Sequence, residues 1–426
     1  MPSEPWTRRS FLRATAAATA AATAVGSSPA SAATGPQRKK IALIGTVVYV
    51  HSHAQHFLDR LALGYTWAGQ WHEPQVDLVS LYVDQFPAND LARSRAKRYK
   101  LPIFPTIADA LTLGTGKLAV DGVVIIGEHG KYPQNEKGQT LYPRYEFFQE
   151  VMKVFEASGR SVPVFNDKHL STEWGQCAKM VADSKRFGFP FLAGSSLPVT
   201  RRLPAIDLPW GTPLVESVGL GYGGIEKYDF HGLETAQCMS ERRRGGEVGI
   251  RSVQALRGAK LWDRVAGQEK TQALLNAALS RSHSLPVEDG YPTAPISFDW
   301  ARRSFPDAFG YFIEHRDGFR TTLFMLPIRD FNYAGMDDHG AITSCQMYLP
   351  MPPSCATTAD FFNPLVHHIE RMVLENRAPY PVERTLLTSG MLLTAVDSLH
   401  RDGALIETPD MDVRYTAPKE SLFWSD

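Results

Sequence analysis

Three short stretches bring imidazole and carboxylate together: VHSHAQH at residues 50–56, GEHG at 127–130 and NDKH at 166–169. Between them they hold His51, His53, His56, Glu128, His129, Asp167, Lys168 and His169. Imidazole nitrogen with carboxylate oxygen suits zinc, manganese or iron better than calcium. An ion so held would polarise a substrate oxygen or generate hydroxide near neutral pH. A single histidine is more often a hydrogen-bonded structural residue than a ligand. Three such stretches at one edge would be an unusual coincidence, so the expected metal ligands are His51, His53, Glu128, His129, Asp167 and His169.

That expectation depends on the elements that carry the three stretches. KKIALIG, QVDLVSLYVD, VDGVVIIG and VPVFND are short apolar runs that read as buried strands. LARSRAKRYKLP and YPRYEFFQEVMKVFEASGR, which lie between them, have helical spacing. Strand and helix in alternation with short connections predict a doubly wound, Rossmann-like parallel sheet over residues 38–170. Ligands of such a sheet gather beyond the carboxyl ends of its strands, where all three stretches fall. Adjacent strand ends lie about 5 Å apart per step, and His51 and His53, two residues apart on an extended segment, face the same way. From residue 171 to 426 the pattern changes. FGYFIEHRDGFRTTLFMLP predicts a hairpin turning at Asp317-Gly318, and ITSCQMYLPMP a further strand. The second half is therefore an α/β domain with an open, mainly antiparallel sheet, and its last helix spans PVERTLLTSGMLLTAVDSLHRDG.

The ends of the chain and its composition narrow the setting. Arg8 and Arg9 precede Ser10-Phe11-Leu12, a weakly apolar Ala/Thr run follows, and Ala30-Ser31-Ala32 resembles a cleavage site. Residues 1–32 thus read as a twin-arginine signal, with the export machinery as partner and a periplasmic or extracellular destination. Forty-five basic residues balance forty-five acidic ones, and no basic cluster points to nucleic acid. The charged run at Glu241 to Gly246 reads as a solvated face or an ion-pair network. Of four cysteines, Cys345 and Cys355 are the nearest pair for a disulfide that export would permit.

The order KIALIG, Asp84 at the end of the second strand, KRYKLPIFPTIADAL, VDGVVI, FEASGRSVPVFNDKHLS, GGIEKYDFHGLE and LLTAVDSLHRDG resembles the Gfo/Idh/MocA family across nearly the whole chain. The resemblance implies a Rossmann half joined to an open-sheet α/β half. It also implies hydride transfer between NAD(P) and sugars or polyols, and often a dimer or tetramer through the open sheet. NDKH stands at the family's glutamate-lysine-proline motif, so Lys168 matches the catalytic lysine, with Asp167 for the acid and His169 for the proline. HGLE matches the histidine and acid three residues apart, His231 and Glu234, while Asp229 is out of register.

The dinucleotide side departs from the family. Only Gly45 of the glycine fingerprint remains, and Thr46, Val47, Val48, Tyr49 and Val50 follow it. β-branched residues resist the positive φ of that turn, leaving Gly45 and Asp84 as weak cofactor contacts. From these residues we expect an exported enzyme that uses a divalent metal for hydrolysis or elimination on a hydroxylated small molecule. Lys168, His231 and Glu234 are its expected acid/base groups. The alternatives are an NAD(P)-dependent sugar or polyol oxidoreductase with tightly held cofactor, and a non-catalytic carbohydrate-binding protein.

Overall fold

A computed structural model describes residues 38–286, 296–352 and 358–425. The expected export signal and Cys355 lie outside the described residues. Within them, Arg38 to Asp426 forms one compact unit. β1 (Lys39–Gly45) is the buried strand anticipated from KKIALIG and lies between β4 (Val76–Val83) and β5 (Gly122–Ile126). The short hairpin β2 (Tyr65–Trp67) and β3 (Gln70–His72) intervenes in the chain. β6 (Val164–Asp167) and β7 (Phe191–Gly194) complete a five-stranded sheet of order β4-β1-β5-β6-β7, parallel throughout. The sheet thus continues beyond residue 170 to Gly194.

Five helices of this half matter to the site. α1 (His53–Leu63) starts where Ser52 accepts a hydrogen bond from the Gln55 N–H and stops at Gly64. α2 (Ala92–Tyr99) and α3 (Ile107–Thr112) return the chain from β4 to β5. α4 (Arg144–Ser158) follows Pro143 and ends at Gly159 in the left-handed region. α5 (Trp174–Phe187) then connects β6 to β7.

The second half is built on β8 (Arg202–Leu203), β9 (Leu214–Gly221), β10 (Ile250–Arg257), β11 (Phe309–His315), β12 (Arg320–Met325), β13 (Phe331–Asp337), β14 (Ile342–Met347) and β15 (Ile406–Glu407). Their order is β15-β10-β11-β12-β9-β13-β14-β8, antiparallel except between β9 and β12. β11 and β12 form the expected hairpin, with Gly318 at φ 84°. α6 (Asp229–Ser240) packs on β9 and β13 and on the helix Glu383–His400, and every one of its residues is buried. One large core runs through both halves, joining Ile44, Val123 and Phe148 to Phe230, Tyr311 and Leu392. This continuity holds α6 against the strand ends of the first sheet. The charged run beginning at Glu241 is an ion-pair network: Arg384 pairs with Glu241, and Arg243 with Glu247 at 3.0 Å.

Candidate active site

The loops after β1, β5 and β6 each contain a non-glycine residue in the left-handed region: His51 at φ 67°, His129 at φ 69° and Lys168 at φ 69°. Such conformations cost on the order of 1–3 kcal/mol and cluster where the surrounding structure has to aim a side chain. Lys168 is held there by its N–H, which donates to the Gly194 carbonyl at 3.1 Å. Its ammonium then reaches His231 of α6, with Nζ 2.7 Å from Nε2. Both residues are 5 % exposed. Burial and the adjacent Lys168 charge push the His231 imidazole well below its ordinary pKa, so it stays neutral. Neutral His231 accepts from Lys168 at Nε2 and carries its proton on Nδ1, which lies 3.0 Å from Ser195 Oγ. Ser195 in turn donates to Glu234 from its hydroxyl and from its backbone N–H. Gly194 permits this packing, because a Cβ there would run into the Glu234 carboxylate.

Beside this chain stands a compensated charge network. Arg144, at the start of α4, donates to Glu128 at 2.8 Å and to His169 Nε2 at 2.9 Å. Lys168 Nζ lies 3.8 Å from the other Glu128 oxygen. Burial alone would raise the Glu128 pKa, but Lys168 and Arg144 outweigh it and hold the carboxyl well below its usual range. His169 is lowered by burial and by Arg144, and its side chain approaches Glu226 at 3.3 Å. His53 Nδ1 meets the buried Asp167 carboxylate at 2.7 Å, and the His53 and His129 ring centroids are 5.4 Å apart. Burial lowers the His129 pKa to about 4. His129 Nε2 and Asp167 Oδ1 are buried without a hydrogen-bond partner, two polar atoms that a hydroxylated ligand can satisfy.

The metal reading is corrected here. Five of its six expected ligands do gather, but His53 and Asp167 pair with each other, and Glu128 and His169 are held by cationic side chains. A guanidinium and an ammonium already neutralise Glu128, Asp167 is taken by His53, and His169 accepts from Arg144. Two fixed positive charges beside Glu128 repel a further cation. The sixth ligand, His51, is exposed, and its ring lies nearest His56, with centroids 6.1 Å apart. Among the described residues, only His72, His367 and Glu370 have ligand atoms mutually within 4.8 Å. There the carboxylate is saturated by Tyr65, His72 and the Gln75 N–H.

The loop after Gly45 also differs from the expected blocked turn. Residues 46–50 have no left-handed member; that role falls to His51. Val47 and Val48 are 1 % and 0 % exposed, and Val48 belongs to the core formed with Leu43, Ala54 and Phe57. Val47 and Val48 therefore pack inward instead of filling phosphate space, whereas Val50 is exposed, and the connection to α1 is a longer loop than a glycine turn. Asp84 stands exposed at the end of β4, its two carboxylate oxygens accepting from Tyr82 at 2.9 Å and Tyr132 at 2.7 Å. A small cavity of about 60 Å³ adjoins His53, Ser195, Tyr228 and His231 on its polar side and Leu349, Met351 and Phe362 on its apolar side. Sequence reasoning passed over Arg144, Ser195 and Glu226. Ser195 directly follows β7, a strand beyond the expected limit of the parallel sheet, and Arg144 and Glu226 had no local signal.

No family model and no curated protein matches the chain. Solved structures do. A myo-inositol dehydrogenase from Lactobacillus casei in complex with NAD(H) and myo-inositol is 11% identical, with TM-score 0.55, 87% of this chain covered and 97% of that one. GenD2 from gentamicin A biosynthesis, in complex with NAD, is 13% identical, with TM-score 0.54 and coverages of 88% and 97%. A myo-inositol dehydrogenase from Corynebacterium glutamicum is 11% identical, with TM-score 0.53 and coverages of 87% and 99%. These likenesses are of fold, and they run against metal-assisted hydrolysis or elimination as the leading reading. The chain shares the two-part fold of these dehydrogenases, the fold that the resemblance to the Gfo/Idh/MocA family implied.

Proposed function

We propose that this chain is an oxidoreductase acting on a hydroxyl-bearing carbon of a sugar, cyclitol or related polyol. One observation carries the reading: a buried lysine and a neutral histidine 2.7 Å apart, where the ends of the parallel sheet meet α6. Such a pair can take the proton of a substrate hydroxyl as its carbon is oxidised, and return it in reduction. The orphaned polar atoms of His129 and Asp167 offer hydroxyl contacts, and Tyr228 and Phe362 offer apolar faces for the ring C–H groups.

The residues present fit a nicotinamide dinucleotide at two points. The N–H groups of His53 and Ala54 open α1 without acceptors among the described residues, as a phosphate requires. Asp84 stands where a ribose hydroxyl would be recognised. When bound, the nicotinamide would supply the hydride acceptor; the chain's own residues hold the substrate and move the proton. Solved chains of this fold in complex with NAD support the same choice. Export remains part of the proposal through Arg8, Arg9 and Ala30-Ser31-Ala32, and a mature N-terminus at residue 33 in an export-competent host would bear it out.

The test is purified full-length protein mixed with NAD⁺ or NADP⁺ and a panel of cyclitols and sugars that includes myo-inositol. Polyol-dependent formation of reduced nicotinamide is expected. Polyol binding with no turnover by either cofactor would overturn the proposal in favour of a non-catalytic binding protein.

A further inference from the structure

We infer that Ser195 is a positioning residue that joins His231 to Glu234, making Lys168, His231, Ser195 and Glu234 one proton wire. The inference rests on the acid/base reading of Lys168 and His231 and extends it to two groups deeper in the fold. Each contact is on a separate element: Lys168 after β6, Ser195 after β7, His231 and Glu234 one turn apart on α6. Lys168 Nζ lies 2.7 Å from His231 Nε2, and His231 Nδ1 lies 3.0 Å from Ser195 Oγ. Ser195 Oγ contacts one Glu234 oxygen, and its N–H donates to the other at 3.0 Å. Ser195 and Glu234 are 2 % and 1 % exposed, so bulk water does not compete for these bonds.

Donor and acceptor roles along the chain are determined by chemistry. With an ammonium at one end and a carboxylate at the other, Lys168 donates to Nε2, Nδ1–H donates to Ser195, and the Ser195 hydroxyl donates to Glu234. If each proton moves one bond, Lys168 becomes a neutral amine and His231 carries its proton on Nε2. Ser195 is again a hydroxyl, now donating to Nδ1, and Glu234 is a carboxylic acid. No proton is gained or lost, and a positive and a negative end become two neutral ones. The product is an uncharged Lys168 amine, able to accept a substrate proton. Glu234 suits the far end. Its ordinary counter-charge is missing, because Arg384 nearby is engaged by Glu241. Burial raises its pKa to about 7 against the Ser195 hydrogen bonds. The other charged groups facing the wire are Glu128, His53 and His169 around Lys168 and His231.

The test needs no substrate. In full-length protein carrying ¹⁵N-histidine, the His231 signals are expected to show a protonated Nδ1 and a bare Nε2, and to inflect once near pH 7 as Glu234 titrates. Ser195→Ala and Glu234→Gln should each abolish that inflection, and Ser195→Thr, which keeps the hydroxyl, should retain it. A His231 response that persists in a folded Ser195→Ala protein, or in Glu234→Gln should the serine variant not fold, overturns the wire. So does a wild-type His231 that ignores pH across this range. A protein that shows the coupled inflection yet oxidises no polyol overturns the proposed function and leaves the wire standing.

Discussion

The loop after β1 and the loops after β6 and β7 have opposite relations between residue type and location. The first is rich in reactive types, yet its residues scatter: Val48 and His56 enter the core, His56 stacking on Phe362 at 4.8 Å, and His51 faces solvent. His53 is taken in the cleft by Asp167, while His51 and His56 line the same cavity. The loops after β6 and β7 contribute one lysine and one serine, and both are aimed, with α6 completing the set. A cluster of reactive residues in sequence is therefore a weaker sign of chemistry than a few polar groups whose partners lie on different elements. A buried polar group survives only with a partner, and partners from separate elements record what the fold is built to hold.

Six substitutions break or sharpen that contrast. The largest effect is expected from Lys168→Ala, which should lower polyol turnover by about two to four orders of magnitude, the usual scale for loss of a general acid/base. His51→Ala, in the loop after β1, should lower turnover by less than about tenfold, since the exposed imidazole lines the cavity but makes no hydrogen bond to Lys168 or His231 among the described residues. Steady-state rates on one substrate decide the comparison.

Arg144→Ala should destabilise the fold by about 3–5 kcal/mol, because it leaves Glu128 and His169 without their guanidinium. Denaturant titration reads this directly. A loss below about 1 kcal/mol would mean that Lys168 alone compensates Glu128.

Glu234 gives a pH-dependent prediction. Its pKa in the native protein, about 7, lies above the ordinary carboxyl value of 4.5, so the native state favours the protonated form. The corresponding stability is complete below about pH 4.5 and is lost as pH rises through 7. Glu234→Gln, neutral at every pH, does not lose it. The variant should therefore gain on the parent between about pH 5 and 8, by up to about 3 kcal/mol. Asp229, raised to about 6 by burial, titrates in both proteins and cancels. Unfolding free energies that run parallel across this range would contradict the assignment.

The smallest effect concerns the cofactor side. Tyr132→Phe removes one of the two hydrogen bonds on Asp84 and should tighten NAD(H) binding about five- to tenfold, the worth of one such bond. Asp84→Asn should weaken it. Calorimetry on the two variants shows whether Asp84 is a ribose contact or only an anchor for the loop that carries Tyr132.

Much of the architecture was open to reading in the chain itself. The buried runs KKIALIG and VDGVVIIG, their alternation with helices, and the Asp317-Gly318 turn follow from local rules of burial, periodicity and turn geometry, which neighbouring residues satisfy among themselves. Lys168, His231 and Glu234 were also legible, through motifs with a characteristic order. The charge state of the site was not. Whether Glu128 and His169 would ligate a cation or bind each other's neighbours depended on Arg144, more than a dozen residues from Glu128 and marked by nothing in its local sequence. Whether Val48 would fill a phosphate site or a core depended on which way the loop turned before α1. Electrostatic compensation acts through space between residues remote in the chain, and burial is decided by packing across elements. For this protein, local sequence therefore determined the scaffold and the placement of Lys168 and His231, while tertiary contact alone decided that the histidine-rich edge is a self-neutralised network.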